Sequence, residues 1–303
     1  MLPPFEIHQP ATAAEASAIR ARYGEEAAVY AGGSELVLVM NEGLASYAHL
    51  IDVKTIPELH DLRYDAARRA LLVGSAVTHR RLERSALVRE RFPLLAEMES
   101  QVANVRVRVV GTLGGNLCFG EPHSDPPTAL LVHDAVVALA GAAGPRRLPL
   151  AEFIVGPYET ALGADEIMTH VEIPEPPPGA AGAYLKFGMH ERPTVGVAVL
   201  LVPTPTGREV AEARVSVGCV GPVPARLHGL ERELRGVPLG ELQNGFAPAL
   251  RAGDALDAVS DLHGSAEYKR ALASVFVGRV LAAAARRVSS EGASTARSEP
   301  PPG

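Results

Sequence analysis

Apolar positions recur at helical spacing in some stretches and in short continuous runs in others, and glycine or proline marks most of the changes between them. Thr12, followed three residues later by Glu15, forms a capping-box signature, and Ala16, Ile19, Ala21 and Tyr23 behind it predict a helix ending near Gly24. A short strand is predicted over 27–31 and is broken by Gly32-Gly33. Ser34 is then placed to cap a helix running to about Asn41, and 48–53 reads as another strand. Residues 1–53 thus form a small β-glycine-α-β unit.

The pattern changes at Lys54. Two apolar runs, 59–64 and 70–75, flank a polar turn and predict a hairpin, and polar-faced helices follow from Thr78 to about Ser100. A second glycine-rich segment covers Gly111 to Asn116. Asp125-Pro126-Pro127 predicts a helix start, with the aspartate as N-cap and proline in the first turn, and 135–140 reads as a strand. The proline-rich run 173–179 continues neither a helix nor a ladder, so one domain is expected over 54–175 and another over 180–288. The latter shows three strand-like runs, 183–189, 195–202 and 213–220. It ends in an amphipathic helix from about Ser265 to Arg287 carrying Leu272, Val275, Phe276 and Val280. Residues 289–303, rich in Ser, Pro, Gly and charge, are expected to be a disordered tail.

Composition narrows the function classes. The 303 residues are 47% hydrophobic and 21% charged, enough for a substantial core. The net charge of -6, with scattered Lys and Arg, offers no footprint for nucleic acid or an anionic membrane. No apolar run approaches the roughly 20 residues of a membrane span, and the first ten residues do not read as a secretory signal, so a cytoplasmic location is expected. The two cysteines, Cys118 and Cys219, are too few to ligate an iron-sulfur cluster. Any cluster must therefore sit on another chain. The ten histidines, among them His49, His60, His79, His123, His133, His190 and His263, show no HxH or HExxH spacing and read as solvated or core residues; no metal site is expected. The absence of GxSxG leaves a hydrolase reading without support.

Two segments carry candidate chemistry. In Val29-Tyr30-Ala31-Gly32-Gly33-Ser34-Glu35-Leu36 a strand stops at paired glycines before a helix, which lets backbone amides approach a phosphate closely; the same arrangement also serves as a plain turn. It is neither GxGxxG nor a Walker A loop. The second segment, Gly111-Thr112-Leu113-Gly114-Gly115-Asn116-Leu117, offers another pair of glycines, with Thr112 and Asn116 as side-chain donors. Together the two loops suit the two sides of a pyrophosphate. Asp125 is available to a ribose hydroxyl, or serves only as a helix cap.

These segments, with Glu121-Pro122 and Asp125 after them, resemble the FAD-binding medium subunit of the xanthine dehydrogenase and aerobic carbon monoxide dehydrogenase family. Gly156-Pro-Tyr-Glu-Thr-Ala-Leu162, Glu166-Ile-Met168, Ala183-Tyr-Leu-Lys-Phe187, Gly196-Val-Ala198 and His263-Gly-Ser-Ala-Glu-Tyr268 resemble further family segments in the same order, over residues 1 to about 288. Cys118 and Phe119 stand where the family commonly has small residues and a histidine, and Met168 where leucine is more usual.

The resemblance implies an α+β chain: a two-subdomain FAD-binding fold of the vanillyl-alcohol oxidase and CO dehydrogenase flavoprotein type, then a C-terminal domain with a three-stranded antiparallel sheet and helices. It implies non-covalent FAD, with 29–36 and 112–116 at the pyrophosphate, Asp125 at the ribitol or ribose, and Met168 and Lys186 near the isoalloxazine or adenine. It also implies partners: a small subunit with 2Fe-2S clusters and a large subunit with molybdenum cofactor, assembled as a dimer of heterotrimers. The flavin subunit would be the electron outlet to oxygen, a quinone or NAD. Two rival readings are a stand-alone flavin oxidase of the vanillyl-alcohol oxidase type and a non-redox nucleotide-binding module.

Overall fold

The computed structural model describes residues 2–188 and 192–296, with side chains described to 290. The chain forms two compact units. One contains the chain up to Arg89 with Glu99–Glu121 and Asp134–Glu175; the other contains Glu90–Met98, Pro122–His133 and the chain from Pro176 onward. The second unit therefore takes two segments from within the expected 54–175 domain.

The first unit begins with a three-stranded parallel sheet in which His49–Asp52 lies between Glu6–His8 and Ala27–Tyr30. Parallel neighbours need crossover connections, and the helices Ala13–Tyr23 and Leu36–Asn41 lie in them. Thr12 caps the first helix by accepting from the Glu15 amide, and Gly24 ends it at φ +54°, as the pattern predicts. Ser34 does not cap the second: that helix starts at Leu36 with Glu35 in the N-cap position and no side-chain cap, leaving 34–35 in a turn. Ala16, Ile51, Val53, Ile56 and Leu59 share one core with Ala76 and Ile167, so the small sheet and the rest of the unit are packed together across the expected boundary at 53.

A five-stranded antiparallel sheet completes this unit in the order Leu62–Asp65, Ala70–Gly74, Ile167–Pro174, Val136–Gly141, Gly144–Pro149. The expected hairpin forms its edge, with the Asp65 carboxylate accepting from the amides of Ala67 and Arg68 in the turn. The central strand Ile167–Pro174 has no clean alternation in sequence, because a register shift between Met168 and His170 changes its phase, and Ile167 and Met168 are both buried. Val-Arg-Val-Arg-Val-Val at 105–110 looks like a strand but is a helix, since Asn104 caps it by accepting from the amides of Arg106 and Val107.

The second unit is built on an antiparallel sheet of Ala181–Phe187, Val195–Pro203, Val210–Gly218 and the two-residue Ala225–Arg226. The sheet thus has a short fourth strand beyond the three expected. The first strand ends at Phe187, short of the expected 189, and Met189 and His190 lie outside the described residues. Residues 195–201 are buried throughout because both faces are covered. Ala273, Phe276, Val277, Val280, Leu281 and Ala284 of the long C-terminal helix share a core with Val195, Val197, Val199, Val215 and Val217. Helix Asp125–Val132 packs on strands 195–203 and 210–218, with Gly218 leaving room for Thr128. The long helix runs Ala266–Ala296, past the expected end at Arg287 and into the expected tail; 297–303 lie outside the described residues.

Candidate functional site

In the first unit the two glycine segments meet. A Cβ on Gly32 would lie 2.2 Å from the Val110 carbonyl oxygen and 2.7 Å from Gly111 Cα, so only glycine permits this approach. One on Gly111 would lie 3.4 Å from Ser34 Oγ, and one on Gly115 would lie 4.0 Å from Ala31 Cβ. Gly33 has φ +70° and sits over its own Tyr30 ring, which Lys54 Nζ approaches to 3.5 Å while also holding Asp52 at 2.7 Å. Val29 and Ala31 pack against the core, anchoring the turn from below. Among the described residues, none accepts from the amides of Gly32, Gly33 or Ser34.

The second glycine segment is not the open loop that its composition suggests. It is the first turn of helix Leu113–Phe119, capped by Thr112, whose Oγ1 accepts from the Gly115 amide at 3.1 Å. The Leu113 amide donates to Val77 O and the Gly114 amide to Ser75 O, both at 3.0 Å, while the Asn116 amide donates to Thr112 O at 2.9 Å. The amides of 113–116 are therefore committed within the protein. Gly114 is required because a Cβ would strike Ser75 Cβ at 2.4 Å. Ser75 in turn donates its amide to Thr169 O, which ties the strand carrying Met168 to this turn. The Met168 side chain itself is buried in the sheet.

Sequence reasoning missed the support behind the junction. His79 donates its amide to Gly111 O, its ring packs against Gly111, and its Nδ1 lies 2.8 Å from Glu99 Oε2 with both side chains buried. The only local hint was Thr78, whose hydroxyl caps the helix that His79 begins. Beyond the helix, Gly120 at φ +67° ends it, Tyr158 donates its hydroxyl to Glu121, and Phe119 meets the Tyr158 ring edge-on. Burial pushes the Cys118 thiol up to about 12, against the opposing influence of Arg20, so it is protonated at neutral pH and is no poised nucleophile.

Asp125 and Lys186 belong to the second unit and are brought together there. Asp125 is not the N-cap of its helix; Ser124 holds that position, and the Asp125 carboxylate turns instead to Lys186 Nζ at 2.8 Å and the Tyr184 hydroxyl at 2.5 Å. Burial and the Asp125 charge hold the Tyr184 phenol well above its ordinary range, so it stays a donor. Gly196, on the neighbouring strand, leaves the space the phenol occupies: a Cβ there would be 2.7 Å from Tyr184 Oη.

Residues 3–176 match the family described as the FAD binding domain in molybdopterin dehydrogenase, and residues 189–284 match the CO dehydrogenase flavoprotein C-terminal domain. The chain belongs to this family of FAD-binding medium subunits. It is 33% identical to the carbon monoxide dehydrogenase medium chain of Hydrogenophaga pseudoflava, over 94% of this chain and 98% of that one. It is 32% identical to the caffeine dehydrogenase subunit beta of a Pseudomonas species, over 94% and 96%. Among solved structures, a carbon monoxide dehydrogenase from Hydrogenophaga pseudoflava lacking the Mo-pyranopterin moiety superimposes with a TM-score of 0.88 at 32% identity, covering 95% of this chain and 99% of that one. Quinoline 2-oxidoreductase from Pseudomonas putida 86 gives a TM-score of 0.87 at 27% identity, again over 95% and 99%.

Membership makes the chain an oxidoreductase subunit with the α+β FAD-binding architecture. The first unit's residues fit the cofactor's diphosphate: three consecutive amides without an acceptor among the described residues, on a turn whose glycines keep side chains out of the approach. The Ser34 hydroxyl adds a fourth donor beside them. No helix among the described residues is long and apolar enough to cross a membrane.

Proposed function

We propose that the chain is the electron outlet of a multi-subunit molybdenum hydroxylase, receiving electrons from 2Fe-2S clusters on a small subunit and passing them through non-covalent FAD to an external acceptor. The observation that carries this reading is the junction of Gly32 with Val110-Gly111, which leaves the amides of 32–34 available to a diphosphate. When bound, FAD supplies the ability to exchange one or two electrons. The protein's own part is positional: Thr112 and Ser75 fix the second glycine turn, and the buried His79-Glu99 pair fixes Gly111, so the donors are held before the cofactor arrives. One further observation favours an outlet over a stand-alone oxidase: the relatives are named as a medium chain and as subunits. A large molybdenum-cofactor subunit and a small iron-sulfur subunit are the proposed partners, as a dimer of heterotrimers.

The test is to purify the chain alone and together with the partners encoded beside it. Alone it should be yellow, release about one FAD per chain into the supernatant on acid precipitation, and oxidise no organic substrate. With its partners, the bound flavin should be reduced by the substrate of the assembly. Flavin retained on the acid-precipitated chain, or substrate oxidation by the isolated chain, would overturn the proposal.

A further inference from the structure

At the N-terminal edge of the first unit, three side chains that can ligate a metal converge outside the cofactor turns. In the parallel pairing of Glu6–His8 with His49–Asp52, Glu6 is the register partner of His49. Glu6 and His8 are two residues apart on one strand and so share a face, and register pairing puts His49 on that face too. His8 Nε2 is 3.1 Å from His49 Nδ1, which is 3.6 Å from Glu6 Oε2. One ligand atom from each of the three lies within 4.8 Å of the others.

We infer that Glu6, His8 and His49 form a binding site for a divalent late first-row transition ion, with Zn²⁺ the best match. Zn²⁺ takes imidazole nitrogen and carboxylate oxygen at about 2.0–2.2 Å, and a tetrahedral shell of such bonds sets neighbouring ligand atoms about 3.3–3.6 Å apart. The observed separations of 3.1 and 3.6 Å bracket that range, so closing the shell needs only small rotations. Two imidazoles with one carboxylate favour Zn²⁺, Co²⁺ or Ni²⁺ over Mg²⁺ or Ca²⁺, which prefer oxygen donors.

The rings are already oriented. Tyr23, the last residue of helix Ala13–Tyr23, stacks on His49 with centroids 3.7 Å apart and on His8 at 5.2 Å. Ile51, on the same sheet face as His49, is buried against Ala16 and Ile19 of that helix, which locks the strand beneath the site. The site also stands at the helix's C-terminal end, where the peptide dipoles favour positive charge. Glu6 is 66% exposed, so the cluster is open to an ion from solution and keeps a position for water.

Calorimetric titration of the EDTA-treated, full-length flavoprotein with Zn²⁺ should show one ion per chain at micromolar affinity or tighter. His8→Ala and His49→Ala should each weaken binding by at least about tenfold, a loss of the size that ligand-shell changes cause, while His228→Ala on the other unit leaves it unchanged. If either alanine variant loses its fold by circular dichroism, Glu6→Gln and zinc-edge X-ray absorption of the wild-type complex decide the question. Two imidazoles in the zinc shell, and weaker binding by Glu6→Gln, support the site. No uptake by the wild type, unchanged affinity in folded variants, or a shell without two imidazoles overturns it.

Discussion

Lys186 Nζ lies 2.8 Å from Asp125 Oδ2, so the lysine's charge is met within its own unit by the residue that local sequence marks as a helix cap. Tyr184, two residues before the lysine, adds its hydroxyl to the other oxygen at 2.5 Å. The lysine is therefore not an edge-strand side chain reaching solvent; it joins strand Ala181–Phe187 to helix Asp125–Val132.

Breaking this pair from one side should be costly. Lys186→Met removes the lysine cation from a carboxylate that is only 4% exposed. Such losses cost about 3–5 kcal/mol, whereas removing both charges costs far less. Urea unfolding should therefore place Lys186→Met well below wild type and the Asp125→Asn, Lys186→Met double variant between them. A Lys186→Met midpoint equal to wild type would show that the ion pair holds nothing together.

Gly32→Ala should empty the proposed cofactor site while leaving the fold. The added methyl would meet the Val110 carbonyl at 2.2 Å, a backbone atom that cannot rotate away, so the two glycine turns must separate. Flavin absorbance per chain after gel filtration should fall severalfold. Gly240→Ala, where a Cβ meets nothing within 4 Å, should retain it. Equal flavin in both variants would remove the junction from the binding site.

Glu231 should give the second unit an acid-labile component. Burial raises its pKa, but the Arg226 guanidinium, the Val215 amide and the His228 ring outweigh that, and the net value falls below the ordinary 4.5. Because the folded-state value is the lower one, the unfolded chain takes up the proton first. The stabilisation is thus complete above about pH 4.5 and is lost as pH falls through the folded value. Glu231→Gln should lower the unfolding midpoint at pH 7 and flatten its decline toward pH 4; an unchanged slope would rule the carboxylate out as the titrating group.

Much was legible locally. The Thr12 cap and the Gly24 stop formed where read, the hairpin closed by Asp65 formed with its first strand at Leu62–Asp65 rather than 59–64, and the helix at Asp125-Pro126-Pro127 formed with Ser124 as its cap; each depends on residues within one or two turns of each other. The two glycine segments were also legible as places where backbone must come close to something. What they approach was not. Gly32 is glycine because Val110 presses on it, and Gly114 because Ser75 does.

The misreadings share one cause. The cap reading of Asp125, one of the two left open for it, and that of Ser34 came from propensity, which sees only the adjoining helix; Asp125 instead meets Lys186, and the second helix starts at Leu36 with no side-chain cap. Ile167–Pro174 escaped notice because its bulge spoils the alternation that marks a strand. The histidines lacked metal spacing along the chain, yet His8 and His49, 41 residues apart, are neighbours because a parallel register aligns their strands. The sequence by itself determined the element starts and stops, the glycine turns and, through resemblance, the family, since these follow from short-range rules or from motifs in order. Only the tertiary structure decided which amides remain free, which charges are paired and which side chains share a face, because each depends on contacts between residues far apart in the chain.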